Sequence, residues 1–166
     1  MADDVLGVPG DIVDVPLYGL SAVVYAERDD RILLLKRAGR SAMSGQWFLP
    51  GGAVERGELP EDAARRELVE ETGLDVDGEL ELVGAYPIWA YGGDCLQLSY
   101  RGRVREGEVV VSDEHSAGRW VDPVAMRAGL TDQAIDALAA GNERVTSLVR
   151  GIRADLDRYL RRTGRA

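Results

Sequence analysis

The segment that most constrains this chain is residues 60–72, because the sequence marks it as a helix at both ends. Pro60 suits a first helical position, where its missing N–H costs nothing. Gly73 suits the left-handed residue that follows a last helical turn. Two adjacent glycines, Gly51 and Gly52, precede the segment and permit close approach of the backbone to a ligand. We therefore predict a helix from about Pro60 to Thr72 behind a glycine turn.

Three carboxylates lie on one face of this helix. Glu67, Glu70 and Glu71 stand at i, i+3 and i+4, a spacing that brings their side chains within reach of each other. Composition alone favours an exposed, solvated face, but like charges so placed repel unless cations lie between them. Mg²⁺ and Mn²⁺ prefer carboxylate oxygens, and Arg66 can orient a carboxylate or a phosphate through its planar fork. The spacing therefore favours a divalent-metal site.

Length and charge limit the classes of protein that this chain can belong to. Its 166 residues suit one domain, which we place at residues 18–166 behind an N-terminal extension, residues 1–17, that is compatible with disorder. The net charge of -9 argues against a surface for duplex nucleic acid, and residues 53–85 supply most of that charge. No stretch is long and apolar enough to predict a membrane span.

The single cysteine, Cys95, cannot form an internal disulfide, and a reducing cytoplasm fits this composition best. The chain contains only one histidine, His115, that could activate this thiol. A small buried residue is therefore the preferred interpretation of Cys95, and a catalytic thiol is the alternative.

Hydrophobic patterns along the chain predict strands on either side of the helix. Residues 18–26 and 32–35 form a buried hairpin around Asp29 and Asp30, and residues 96–101 alternate with period two. Two more strands are predicted at Val109 to Val111 and Gly118 to Val121, separated by a polar loop from Ser112 to Ala117. After Asp122 the pattern becomes helical. This order indicates a mixed α/β sheet covered by helices on both faces.

The last helix carries an apolar stripe with residues three or four apart. The stripe comprises Val145, Leu148, Val149, Ile152, Leu156, Tyr159 and Leu160. Packing on the chain's own domain is the preferred interpretation. An interaction surface for a partner, including a homodimer, is the alternative.

The helix and its flanks carry a motif. Gly52, Glu58, the run Arg66-Glu67-Leu68-Val69-Glu70-Glu71-Thr72 and Gly73-Leu74 match the Nudix box at every defined position. Trp47 and Leu49-Pro50-Gly51 ahead of the box, and Trp120-Val121 behind it, also look like that family. The chain therefore resembles the Nudix hydrolases from Tyr18 to Val121.

This resemblance implies an α/β/α sandwich with a mixed sheet, to which the present chain adds a C-terminal helix. It also implies Mg²⁺- or Mn²⁺-dependent attack by water on a nucleoside diphosphate linked to another group. By resemblance, Glu67, Glu70 and Glu71 bind metal, with Glu58 and Gly51 as further metal-site residues, and Glu70 and Arg66 are catalytic. Gly52, Arg37, Tyr91 and Trp89 are candidate substrate contacts. Leu59 departs from the Ser or Thr that is usual at its position, which costs the helix a cap of about 1 kcal/mol.

The general base and the substrate are left open by these residues. Glu114 is the best candidate for an extra metal ligand or base, with a solvated loop residue as the alternative, and His115 is either structural or a phosphate contact. The aromatic run Tyr86, Trp89 and Tyr91 either stacks on a nucleobase or fills the core. Its spacing favours a nucleoside or dinucleoside polyphosphate over ADP-ribose or a nucleotide sugar. A Nudix-like module that binds a nucleotide without cutting it is the alternative of another class.

Overall fold

The computed structural model describes residues 18–39 and 44–166, so the proposed extension, residues 1–17, lies outside the described residues. Strands and helices follow one another as β1 (Gly19–Arg28), β2 (Arg31–Arg37), β3 (Trp47–Phe48), β4 (Gly51–Ala53), α1 (Pro60–Thr72), β5 (Glu81–Ala90), β6 (Gly93–Arg103), β7 (His115–Val121), α2 (Pro123–Gly129), α3 (Asp132–Ala139) and α4 (Glu143–Arg162). None of the helices in these two ranges has the length and apolar character that crossing a bilayer requires.

The sheet is mixed. Its main path runs β3-β2-β1-β6-β5, with β4 paired to β1 and β7 paired to β2. Only the β1–β6 pairing is parallel, and the pairings of β2, β4 and β5 are antiparallel. The predicted hairpin is confirmed at Asp29 and Asp30, whose positive φ angles of 49° and 60° suit the turn between two twisted strands.

Alternate residues of the central strands build two cores, one on each face of the sheet. Ala22 and Val24 of β1 pack toward α1, which contributes Ala64 and Leu68. Tyr25, from the opposite face of the same strand, packs with α4 in the second core. This alternation follows from the period of two in a strand, and it confirms the α/β/α sandwich.

Helix α4 packs on its own domain through its second half. Leu156, Tyr159 and Leu160 are buried in the second core, and the ring of Tyr159 stacks on that of Tyr25 with centroids 4.3 Å apart. The side chain of Asp155 is fully buried and accepts hydrogen bonds from Tyr25 Oη at 2.9 Å and from a serine of β6. Much of the apolar stripe therefore has a partner within the chain.

One predicted strand is wrong. Val109 to Val111 do not pair in the sheet, because this segment binds the carboxyl end of α1 instead. The N–H of Val110 donates to the carbonyl of Thr72 at 2.9 Å, and that of Ser112 donates to the carbonyl of Glu71 at 3.1 Å. The last helical carbonyls have no partner within a helix, so an extended neighbour satisfies them.

The predicted polar loop from Ser112 to Ala117 is also too long. Strand β7 begins at His115, which lies opposite Arg37 of β2. Pairing with β2 thus extends the strand three residues before the Gly118 start that the apolar pattern indicated.

Candidate active site

The glycine turn sets how closely α1 approaches the sheet. A Cβ on Gly51 would lie 2.2 Å from the carbonyl oxygen of Ala22, and the φ angle of Gly51 is +148°. A Cβ on Gly52 would lie 2.5 Å from Oε1 of Glu67. Gly51 therefore allows β4 to lie against β1, and Gly52 leaves the space that the Glu67 carboxylate occupies.

The helix itself begins without a side-chain cap at Leu59, as its sequence predicts, and ends at Gly73 with a left-handed φ of 70°. Ala64 and Leu68 are fully buried against the sheet. The glutamates lie on the remaining part of the helix, so the helix is anchored by one face and carries charge on the other.

Arg66 joins three carboxylates. Its guanidinium donates twice to Glu58, from Nε at 2.9 Å and from Nη2 at 3.0 Å. Nη1 donates to Oε1 of Glu67 at 2.8 Å and to Oε2 of Glu70 at 3.3 Å. Hydrogen bonding to Arg66 is the main cause that lowers the pKa of Glu58. Arg66 therefore orients the helix carboxylates and Glu58 as a single network.

Glu71 lies in a different environment. Its carboxylate is buried, and its Oε2 accepts a hydrogen bond from the N–H of Gly51 at 2.8 Å. Burial raises the pKa of Glu71 to about 8, the Gly51 N–H opposes this shift, and the charges of Glu67 and Glu114 add to it. Glu71 is thus a buried carboxylate whose negative charge is not balanced by the positive groups around it.

The imidazole of His115 lies beside the Glu71 carboxylate. Its Nε2 lies 3.5 Å from Oε1 of Glu71, and its Nδ1 lies 3.4 Å from Oγ of Ser112. Burial, followed by the charge of Arg37, lowers the pKa of His115. Because burial disfavours the charged form of both partners, this contact is better described as a close approach of two polar groups than as an ion pair. His115 therefore supports Glu71 from β7, and the interpretation as a phosphate contact stays untested.

The carboxylates of α1 are of the chemical type that binds a divalent cation, but they are not arranged around a common point. Across residues 18–39 and 44–166, no three carboxylate, imidazole or thiol groups converge on one point at ligand distance. Glu67 and Glu70 are instead turned toward Arg66. Three oxygen donors on one helix, one of them buried and short of positive charge, are nevertheless the donor set that a hard divalent cation takes. Glu67 and Glu70 would have to exchange Arg66 for the cation.

Glu114 and Arg37 lie at the edge of the site. The two side chains are 3.5 Å apart, and both are exposed, Glu114 by 67%. The charges of both residues act on Glu71, which places them near that carboxylate. Glu114 is thus available to solvent and close to the site, while its role as a base or metal ligand stays a prediction.

A cavity of about 520 Å³ opens beside these residues. Its walls include Gly51, Glu71, Arg37 and His115, which are joined by contacts and form the charged end of the cavity. Other walls are apolar or aromatic and come from β1, β3, β5 and α4, including Val23, Trp47, Phe48, Ile88, Leu148 and Ile152. A largely apolar cavity that ends at a few charged groups is the usual form of a small-molecule site.

The three aromatic residues of the β5 region differ in exposure. Tyr86 is buried, with its ring against Gly151 of α4, so its face belongs to the core. Trp89 and Tyr91 line the cavity and are exposed by 44% and 68%. Burial, followed by the charge of Glu67, raises the pKa of Tyr91. Trp89 and Tyr91 thus border the site from the β5–β6 hairpin.

Several cavity residues on α4, β1 and β6 were not predicted from the sequence. Arg144 lies over the ring of Trp89 at 4.1 Å, and Ser21 and Gln97 lie on the cavity floor. The apolar stripe of α4 was a signal that this helix packs on the domain. No signal in the sequence showed that its first half forms a wall of the cavity. Cys95, by contrast, is buried and free, as predicted.

The chain is similar to known proteins over most of its length. The NUDIX domain matches residues 17–141 of the chain. A MutT-like protein of Streptomyces ambofaciens is 32% identical over 144 residues, which cover 84% of this chain and 89% of the relative. The nucleoside triphosphatase NudI of Escherichia fergusonii is 33% identical over 113 residues, covering 58% of this chain and 77% of NudI.

A solved structure shows the same architecture. The MutT NUDIX hydrolase from Burkholderia pseudomallei superposes with a TM-score of 0.58 and is 31% identical, covering 66% of this chain and 86% of its own. The chain therefore belongs to the Nudix hydrolase family of enzymes.

Proposed function

We propose that this protein hydrolyses the phosphoric anhydride linkage of a nucleoside polyphosphate, either a nucleoside triphosphate or a dinucleoside polyphosphate, with Mg²⁺ or Mn²⁺ bound by Glu67, Glu70 and Glu71. The observation that carries the proposal is the position of the cavity, which extends from Glu71 and Gly51 to the aromatic walls. A polyphosphate at the charged end and a nucleoside among the aromatic residues would fill the two chemically different parts.

The reaction is a displacement at phosphorus. The oxygen of a water molecule forms a bond to phosphorus while the bond from phosphorus to the bridging oxygen breaks, and the leaving phosphate takes the electron pair. The proton of the water passes to a carboxylate base, for which Glu114 and the box glutamates are the candidates. A divalent cation, when bound, neutralises phosphate oxygens and helps to activate water.

The chain's own residues supply orientation. Arg66 holds Glu58, Glu67 and Glu70 through its hydrogen bonds, so it is a positioning residue rather than a group that touches the substrate. Arg37 presents an exposed guanidinium beside Glu114, where it can neutralise a phosphate oxygen. The backbone at Gly52 has no side chain between it and the carboxylates, which allows a phosphate to approach closely.

The nucleoside end of the proposal rests on Trp89 and Tyr91. Both side chains border the cavity, and both retain exposed faces on which a base can stack. The relative from Escherichia fergusonii, a nucleoside triphosphatase by name, agrees with a nucleoside triphosphate as substrate. ADP-ribose and nucleotide sugars are the competing substrates.

The test is a substrate screen with a matched pair of variants. Nucleoside triphosphates, dinucleoside polyphosphates, ADP-ribose and nucleotide sugars would be incubated with Mg²⁺ and with Mn²⁺, and the phosphate products would be quantified. Glu70→Gln should lower kcat by at least about a hundredfold, because it removes a charge that holds the cation while keeping the side-chain shape. Glu61→Gln, an exposed change in the first turn of α1, is the control and should leave kcat unchanged.

The outcomes separate the alternatives. Turnover of ADP-ribose or a nucleotide sugar in preference to every polyphosphate would replace the proposed substrate while retaining the metal site. Full activity of Glu70→Gln at saturating metal would refute the metal site. Nucleotide binding without turnover of any compound would contradict the family's enzymatic character and favour a binding module.

A further inference from the structure

The floor of the cavity contains a row of three polar side chains. Ser21 of β1, Gln97 of β6 and Tyr86 of β5 lie side by side, since Gln97 is the register partner of both Ser21 and Tyr86. All three line the cavity on the sheet face that α4 covers. Their neighbours on this floor, Val23 and Ile88, are apolar, so the row is a local polar site within an apolar surface.

Two hydrogen bonds hold the Gln97 amide in one orientation. Its Nε2 donates to Oη of Tyr86, and its Oε1 accepts from Oγ of Ser21 at 3.4 Å. The Tyr86 ring is itself fixed, because it packs against Gly151, where a Cβ would lie 2.8 Å from the ring. In this arrangement the amide oxygen of Gln97 faces β1 and its amide nitrogen faces β5.

The hydrogen-bonding capacity of Gln97 is only half used. A primary amide has two N–H donors and two acceptor positions, and the row occupies one of each. Within residues 18–39 and 44–166, the other donor and acceptor of this amide have no partner, and Gln97 is half-buried at the cavity floor. Other polar residues of the cavity are engaged elsewhere, since Asn142 caps α4 and Arg144 stacks on Trp89.

We propose that Gln97 is a specificity-determining residue that reads the base of the nucleotide and selects an exocyclic amino group beside an unprotonated ring nitrogen. This inference rests on the proposed function, since it assigns the nucleoside part of the same substrate. The remaining amide oxygen accepts from the amino group, and the remaining N–H donates to the ring nitrogen. Glutamine recognises adenine in this bidentate way. On the Watson–Crick edge, adenine and cytosine present this pair of groups, whereas hypoxanthine and uracil present an oxo group and a ring N–H.

The test compares nucleotides that differ only at this edge. Values of kcat/KM would be measured for ATP against ITP and for CTP against UTP, with the protein as purified and with Mg²⁺. The amino member of each pair should be preferred by about tenfold or more, the size of one bidentate contact. Calorimetric binding of AMP against IMP to the metal-free protein gives the same comparison without turnover.

Three variants separate base reading from a structural role. Gln97→Leu should bring each ratio to about one, whereas a structural defect would lower both members of a pair equally. Gln97→Glu replaces the donor by a second acceptor, which leaves one matched and one mismatched contact with either base of a pair, so it should also bring each ratio towards one. Gln133→Leu, an exposed change on α3, is the control and should keep the ratios of the unmodified protein. Thermal unfolding of each variant verifies that it is folded.

The results distinguish this inference from the proposed function. A ratio near one in the unmodified protein, or an unchanged ratio in Gln97→Leu, overturns base reading by Gln97 even if nucleotides are hydrolysed. Absence of hydrolysis for these four triphosphates and for every nucleoside and dinucleoside polyphosphate of the substrate screen overturns the proposed function. In that case a preference for AMP over IMP that Gln97→Leu abolishes would still support base reading, and equal binding would overturn it.

Discussion

The change Gly52→Ala should lower activity and leave the fold largely intact. A Cβ at this position lies 2.5 Å from Oε1 of Glu67, whereas ordinary contact begins at 3.4 Å, so the Glu67 carboxylate has to move by about 1 Å. The atom displaced is the end of a flexible side chain, and alanine also restricts the unfolded chain by about 0.4–1 kcal/mol relative to glycine. Thermal stability should therefore change little.

Activity should respond much more strongly. Glu67 is bound to Arg66 at 2.8 Å, so its displacement disturbs the network that also orients Glu58 and Glu70. A misplacement of about 1 Å in an active site can cost on the order of a hundredfold in rate. We therefore expect kcat with the best nucleotide to fall by about that factor, as measured by phosphate release at saturating Mg²⁺.

The neighbouring glycine provides a contrast. A Cβ on Gly51 would meet backbone atoms, at 2.2 Å from the Ala22 carbonyl oxygen and 2.7 Å from Cα of Val23, and its φ of +148° is strained for alanine. Gly51→Ala should therefore destabilise the protein by on the order of 3 kcal/mol or more, seen as a lower midpoint of denaturation. Full activity of Gly52→Ala, or a loss of stability equal to that of Gly51→Ala, would refute this reasoning.

Changes at three further residues test other parts of the molecule. Glu114→Gln should lower kcat more than it raises KM if Glu114 is the base or a late metal ligand. An unchanged kcat in steady-state kinetics would mean that a glutamate of α1 has that role instead. Tyr91→Ala should raise KM for the best nucleotide about tenfold while KM for inorganic pyrophosphate stays the same, because stacking on a base is worth about 1–3 kcal/mol; an equal loss for both compounds would mean that Tyr91 supports the fold. Asp155→Ala should reduce the free energy of unfolding by about 1–3 kcal/mol, because Tyr25 Oη loses its acceptor while Ser99 can still donate to the carbonyl of Gly84. Burial raises the pKa of Asp155, so the folded state binds its proton more tightly, and the free energy of unfolding should fall as pH rises from about 4 through the folded-state pKa. Asp155→Asn should flatten that dependence in denaturation curves measured at several pH values, and an unchanged slope would contradict the assignment.

Local structure was predictable where a residue has one physical reason for its position. The limits of α1 follow from Pro60 and Gly73, and the structure places the helix at Pro60–Thr72. The turn at Asp29 and Asp30 and the two faces of the sheet follow in the same way from turn chemistry and period-two patterns. These features depend on neighbours in sequence, so one sequence was sufficient to predict them.

Pairing between distant segments was harder to predict. The apolar run Val109 to Val111 has the composition of a strand, yet its N–H groups serve the carboxyl end of α1. The parallel pairing of β1 with β6 joins residues more than 70 positions apart, and no local signal specifies it. The three glutamates likewise look equivalent by spacing, whereas the fold buries Glu71 and leaves Glu70 exposed by 59%.

One wall of the cavity comes from a part of the chain beyond the family match, and this limits what family membership implies about the substrate. Gly51, Glu71 and His115 at the charged end lie within residues 17–141, where the NUDIX domain matches. A further wall of the cavity comes from the first half of α4, which lies beyond residue 141. Leu148 and Ile152 are apolar residues of this wall. A fold and a reaction class do not determine the substrate, so the residues that the chain shares with its family account only for the type of reaction. The substrate contacts must instead be argued from individual side chains of this protein, both in the α4 wall and in the row formed by Ser21, Gln97 and Tyr86.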